Sequence, residues 1–122
     1  MASGATARIA SFKAFWPCYV SQHSKSVTRW LHFVGTLVAT SALVILIVVR
    51  LSRFIPLAFV FGYAMAWFGH FFVEKNRPAT FEYPLWSFLA DYKMAGLMLA
   101  GKMDAEVRKA MPKKTATQDE LL

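Results

Sequence analysis

Apolar positions fill two stretches of this chain so completely that the usual alternation of hydrophobic and polar residues disappears. Residues 31–49 are almost continuously apolar. As a helix they would measure roughly 28 Å, about the thickness of a bilayer's hydrocarbon core. Arg50, Ser52 and Arg53 interrupt the run, and residues 54–73 then bring 20 more positions without a charge. Two spanning helices joined by so short a polar turn predict an antiparallel hairpin, because backbone polar groups in lipid must be satisfied within helices. Pro56 falls in the first turn of the second helix, where its missing N–H is tolerated.

The flanks carry weaker patterns. Phe12, Trp16, Tyr19, Val20 and His23 recur at helical spacing, which predicts an amphipathic helix lying at the membrane interface, with Pro17 as a point of kinking. Pro78 closes the second apolar helix near Arg77. Residues 84–100 are again mostly apolar, and Pro84 suits a first helical turn. Asp91 and Lys93 in the middle of that segment predict an interfacial or protein-buried helix, with a third span as the other reading. Residues 104–122 are charged, contain Pro112 and predict a disordered tail. The expected fold is an all-α integral membrane protein, a two-span antiparallel helical hairpin with flanking interfacial helices. Residues 1–103 form its embedded domain.

Composition supports this picture. The 122 residues allow one domain, and a 57% hydrophobic content with 16% aromatics is too apolar for a soluble one. The net charge of +7 lies in residues flanking the apolar runs. That placement makes a lipid bilayer the expected partner and not nucleic acid. Lys13, Lys25 and Arg29 precede the first run, and Lys75, Arg77, Lys93 and Lys102 follow the second, against only Arg50 and Arg53 in the turn. The positive-inside rule therefore predicts both termini in the cytoplasm. The membrane would be the endoplasmic reticulum in a eukaryote and the inner membrane in a bacterium. No cleavable signal peptide is expected, since residues 1–11 are small and polar. Cys18 is the only cysteine, which excludes an intrachain disulfide and a cysteine metal cage. No phosphate-binding glycine loop or nucleophile motif occurs. Gly35, Gly62 and Gly69 read as points of close helix approach. Met94, Met98 and Met103 read as packing, not as copper ligands. Two or three spans make no transport pathway without oligomerisation, and the oligomeric state stays open.

The chemistry gathers on the histidines, of which there are three: His23, His32 and His70. His32 begins the first span and His70 ends the second, so an antiparallel hairpin brings both to one side of the membrane. His23, on the preceding helix, falls near the same level. Glu74 follows His70 by one helical turn and shares its face on a regular helix. Nine residues separate His23 from His32, which on one straight helix would put them on opposite faces. A break is needed between them, and Ser24, Ser26 and Thr28 are suitable capping residues for it. Three imidazoles and a carboxylate suit zinc or non-haem iron, and a ligand set with open positions is the arrangement that activates O₂ at Fe(II). Against this stands the plainer reading of interfacial belt and cap histidines in a non-enzymatic membrane scaffold or complex subunit. A zinc hydrolase would use the same ligands. Asp91, with Tyr92 and Lys93, reads first as a locally paired interfacial Asp/Lys and second as a further ligand or proton donor.

At these residues a family resemblance appears. "YVSQHSKSVTRWLHFVGT" (residues 19–36) and "GHFFVEKNRPATF" (residues 69–81) resemble the shorter branch of the Mpo-like family, over about residues 12–100. The second motif, Gly-His-x-x-x-Glu-Lys-x-x-Pro-Ala, is the more specific. The resemblance implies a small multi-span membrane protein that is an Fe(II)-dependent dioxygenase, with O₂ as co-substrate. It implies a 2-hydroxy fatty acid as substrate, shortened by one carbon. Carried over residue by residue, it makes His23, His32 and His70 the iron ligands and places Glu74 at the motif's acidic position. Glu74 would act as ligand or as the acceptor fixing a ligand's tautomer. Lys75 and Arg77 would attract the substrate carboxylate.

Overall fold

The computed structural model describes residues 8–111, and no strand occurs among them. Helix α1 (Phe12–Ser21) starts at Ser11, whose hydroxyl accepts the Ala14 N–H at 3.2 Å. Helix α2 (Ser26–Val48) ends where Arg50 turns left-handed at φ 61° and the Leu51 N–H reaches the Leu46 carbonyl at 2.8 Å. This is the backbone closure that satisfies a helix's last carbonyls. A 3₁₀ turn (Ser52–Phe54) leads into α3 (Ile55–Phe68), with Pro56 in its first turn as the sequence predicts. The helix then widens to a π-helical stretch, Gly69–Glu74, which ends at left-handed Lys75, φ 57°. After a second 3₁₀ turn (Ala79–Phe81) come α4 (Pro84–Leu99) and α5 (Met103–Ala110).

Helices α2 and α3 pack antiparallel along small residues. Their contacts pair Thr28 with Gly69, Gly35 with Gly62 and Met65, and Ala39 with Gly62. A Cβ on Gly35 would stand 3.0 Å from the Met65 Cβ, and one on Gly62 would stand 3.2 Å from the Ala39 Cβ. Glycine at both positions is what lets the backbones close to this distance. The outer faces are exposed among the described residues: Val44, Ile45, Ile47 and Val48 are 54–74% exposed. The helical stretches Ser26–Val48 and Ser52–Glu74 are each long and apolar enough to cross a bilayer. Helix α4, with 16 residues and two charges, is too short to cross one upright. It packs instead against α1 and α2, burying Ala90 and Met94.

Two expectations for the flanks change. The apolar face of α1 meets protein. Phe15, Trp16, Tyr19 and Val20 are buried against Ala90, Met94 and Met103, and the Phe15 ring lies 5.4 Å from Tyr83 and 5.7 Å from Trp86. The segment from residue 104 is not a disordered tail throughout. Helix α5 docks on α1, where the Trp16 indole N–H donates to Glu106 at 3.1 Å. The buried Arg29 also reaches Asp104 at 3.5 Å. Acidic residues in the first turn of α5 and basic ones in its last oppose the helix dipole. Residues 112–122, the remainder of the expected tail, lie outside the described residues. Met94 and Met103 serve as core packing.

Candidate metal centre

The break required between His23 and His32 exists. Helix α1 ends at Ser21, α2 starts at Ser26, and His23 sits on the loop between them. The hydroxyls of Ser24, Ser26 and Thr28 do not cap α2; it starts at Lys25 without a side-chain cap of its own. Glu74 supplies the cap from α3's end. One of its oxygens accepts the Lys25 N–H at 2.6 Å, the other accepts the Ser24 hydroxyl at 2.9 Å. The Arg29 guanidinium then fixes the loop from inside, donating to the carbonyls of His23 at 2.8 Å and Ser24 at 2.7 Å.

These contacts bring the three histidines together, and all three are buried. The His23 Nε2 lies 3.1 Å from that of His32, which lies 3.2 Å from that of His70. One nitrogen from each ring falls within 4.8 Å of the others. Each ring's other nitrogen has an oxygen beside it. His23 Nδ1 donates to the Tyr19 carbonyl at 2.6 Å, and His32 Nδ1 lies 3.3 Å from the Asp91 carboxylate. His70 Nδ1 donates to Asn76 Oδ1 at 2.7 Å, and the orientation of that amide is set by its Nδ2 donating to the Gln22 carbonyl at 3.1 Å.

The tautomers follow. With every Nδ1 carrying the proton, every Nε2 presents a lone pair. Lone pairs at 3.1–3.2 Å repel unless a cation lies between them. A proton is a poor candidate, because burial, followed by the neighbouring His32 and His70, lowers the His23 pKa well below the ordinary histidine value. A metal ion fits. Bonds of about 2.1 Å set the nitrogens about 3.0 Å apart at right angles and about 3.4 Å apart at tetrahedral ones.

Asp91 is the acceptor that sequence reasoning undervalued. It does not pair with Lys93, whose ammonium sits 4.1 Å over the Trp16 ring. Its Oδ1 accepts from the Tyr19 hydroxyl and lies 3.3 Å from His32 Nδ1. Burial, reinforced by Asp91, raises the Tyr19 pKa and keeps it a donor. The Tyr19 ring also stacks on His23 at 4.1 Å. Tyr19, Arg29 and Asn76 were not read as site residues, although Tyr19 and Arg29 fall within the first of the two motifs and Asn76 within the second.

The other named residues make different contacts. Glu74 bonds α2's start. Lys75 and Arg77 are exposed, the latter with its guanidinium 5.2 Å over the Phe81 ring. Glu74→Ala is therefore expected to lower stability by about 1–2 kcal/mol, the effect of losing a helix cap, and to leave bound metal unchanged. Denaturant unfolding in detergent beside metal analysis would check this. Metal loss at unchanged stability would make Glu74 a ligand.

A groove opens from His32 and Asp91 and runs between α2, α3 and α4, enclosing about 610 Å³ of space that includes its open side. Its lining is predominantly apolar, from Gly35 to Leu43 on one wall and Ala58 to Ala66 on the other.

A family model described as 2-hydroxy-palmitic acid dioxygenase Mpo1-like matches residues 9–103, most of the chain. Neither a curated protein nor a solved structure matches it.

Proposed function

The chain belongs to the 2-hydroxy-palmitic acid dioxygenase Mpo1-like family, and on that premise we propose that it is a membrane-embedded Fe(II)-dependent dioxygenase shortening 2-hydroxy fatty acids by one carbon. The observation that carries the reading is the convergence of three buried imidazoles on their Nε2 atoms, with hydrogen-bond acceptors on His23 and His70 Nδ1 and the Asp91 carboxylate beside His32 Nδ1. Family and site agree on metal chemistry. Ferrous iron, when bound, supplies Lewis acidity and O₂ activation. A scaffold protein needs no such set of buried, unprotonated imidazoles. The two apolar helices would cross the bilayer, with both termini in the cytoplasm, as the basic flanks favour.

The chain's own residues divide the remaining work. His23, His32 and His70 hold the metal and leave its other positions to ligands. A 2-hydroxy carboxylate offers two oxygens to such positions, which fixes its reacting carbons. Asp91 and Asn76 keep His32 and His70 in the ligating tautomer. Burial around Tyr19 and His23 excludes water from that side. Lys75 and Arg77, exposed beyond α3's end, favour the approach of an anionic head group. One O₂ balances the reaction without a further reductant: the acid gives its one-carbon-shorter homologue, carbon dioxide and water.

Protein purified anaerobically is expected to hold about one iron per chain and to consume about one O₂ per 2-hydroxyhexadecanoate cleaved. Pentadecanoate measured by mass spectrometry and an oxygen electrode would check it. Zinc in place of iron, with hydrolysis indifferent to O₂, would overturn the redox assignment; folded protein that takes up no metal would overturn the enzyme.

A further inference from the structure

We propose that the groove leaving His32 and Asp91 is the acyl-chain site, and that the Thr40–Tyr92 contact across it measures chain length; this rests on the dioxygenase reading for the identity of the head group. The groove's α2 wall is His32, Thr36, Thr40 and Leu43, a spacing that keeps them on one helix face. From His32 to Leu43 this wall is about 16 Å long at 1.5 Å per residue. That is about half of a ~30 Å hydrocarbon core, the depth of one leaflet.

The two ends differ in chemistry. At His32 a metal held by the histidines would supply positive charge for an oxygen head group; beyond it the lining offers alkyl surface. An amphiphile with a chelating anionic head and a long tail satisfies both ends. A ligand without the head leaves the metal end unmatched, and one without the tail leaves the apolar walls uncovered. An extended alkyl chain advances about 1.25 Å per carbon, from 1.52 Å bonds at tetrahedral angles. About thirteen carbons therefore lie between the levels of His32 and Leu43.

The contact that divides this length is a hydrogen bond from wall to wall. Thr40 Oγ1 on α2 and the Tyr92 hydroxyl on α4 lie 2.7 Å apart, and both line the groove. Thr40 is about 12 Å along α2 from His32, the reach of about ten carbons. On the α3 side the groove is lined by Ala58 and Gly62, small residues that add no bulk opposite the pair. A long tail passes under it and is held off the surrounding lipid. A tail of eight carbons stops short.

The test needs no turnover. Full-length protein in nanodiscs, loaded with metal under argon, is irradiated with 2-hydroxyhexadecanoic acid carrying a terminal diazirine. Adducts are expected on Leu43, Phe59 and their groove neighbours. Binding is then compared for sixteen- and eight-carbon 2-hydroxy acids. Thr40→Trp should weaken the longer acid by roughly a hundredfold, since each methylene kept out of the groove is worth about fourfold. The shorter acid should stay within about twofold. Tyr92→Phe, which removes only a hydroxyl, should show the same selectivity at smaller size. Adducts confined to the lipid-facing Val44, Ile45 and Ile47, equal labelling by a diazirine phospholipid, or equal losses for both acids would overturn the proposal. Groove labelling in a protein that then shows no O₂-dependent cleavage would leave the acyl site standing and remove the dioxygenase. Cleavage with labels elsewhere would do the reverse.

Discussion

Alanine at any one of His23, His32 and His70 is expected to remove iron and bring O₂-dependent cleavage below detection. The three positions are expected to behave alike, although they come from a loop, the start of α2 and the π-helical end of α3. Losing a partner behind a ligand weakens metal binding about 10–100-fold; losing one ligand of three is expected to weaken it at least about a thousandfold. The rings are 1–5% exposed, so each truncation also leaves a cavity. Folding therefore has to be followed separately. Helical content by circular dichroism and monodispersity in detergent should persist in the three variants, because the α2–α3 contact along Gly35, Ala39 and Gly62 lies away from the rings. Iron per chain, measured after anaerobic purification, decides the matter. A folded variant that kept both iron and activity would exclude that histidine as a ligand. Iron unchanged in all three would dissolve the site.

How far the sequence leads depends on the range of the interaction concerned. The two long apolar helices were legible because nothing charged interrupts residues 31–49 or 54–73. Helix α2 begins earlier than its apolar run, at Ser26, because Glu74 caps it and Arg29 finds carbonyl partners in the preceding loop. The meeting of the histidines was legible too, since antiparallel connection places His32 and His70 at one level whatever the side-chain details. Glu74 was misread for a local reason. Its expected place beside His70 assumes 3.6 residues per turn, and Gly69–Glu74 winds as a π-helix. Asp91 was misread for another. A pairing with Lys93 spans i to i+2, and such residues do not face each other on a helix. Its true partners, Tyr19 and His32, are 72 and 59 positions away in the chain, beyond anything a periodicity can report. The docking of α5 on α1 escaped notice because its charged sequence carries one buried apolar anchor, Met103.

Asp91→Ala is the second large effect expected, and it separates a carboxylate that serves the metal from one that serves packing. Asp91 touches no Nε2; it acts through His32, as a positioning residue. Its Oδ1 lies 3.3 Å from His32 Nδ1, where its negative charge favours the proton on that nitrogen and leaves the lone pair of Nε2 to the other two rings. Without the carboxylate, His32 loses the charge that favours its Nδ1–H tautomer, and a ring protonated on Nε2 cannot ligate. Metal affinity should fall about 10–100-fold, read by competition with a chromophoric chelator under argon. Asp91→Asn retains an acceptor oxygen but no charge, so its loss should be the smaller of the two. The Tyr19 hydroxyl bonds the same oxygen, so Tyr19→Phe removes a donor from Asp91 while leaving the carboxylate on His32. That variant should destabilise the apoprotein by about 1 kcal/mol with little change in metal affinity. The reverse order, with Asp91→Ala within about threefold of the parent and Tyr19→Phe far below it, would move the tuning of the site from the carboxylate to the stacked tyrosine beneath His23.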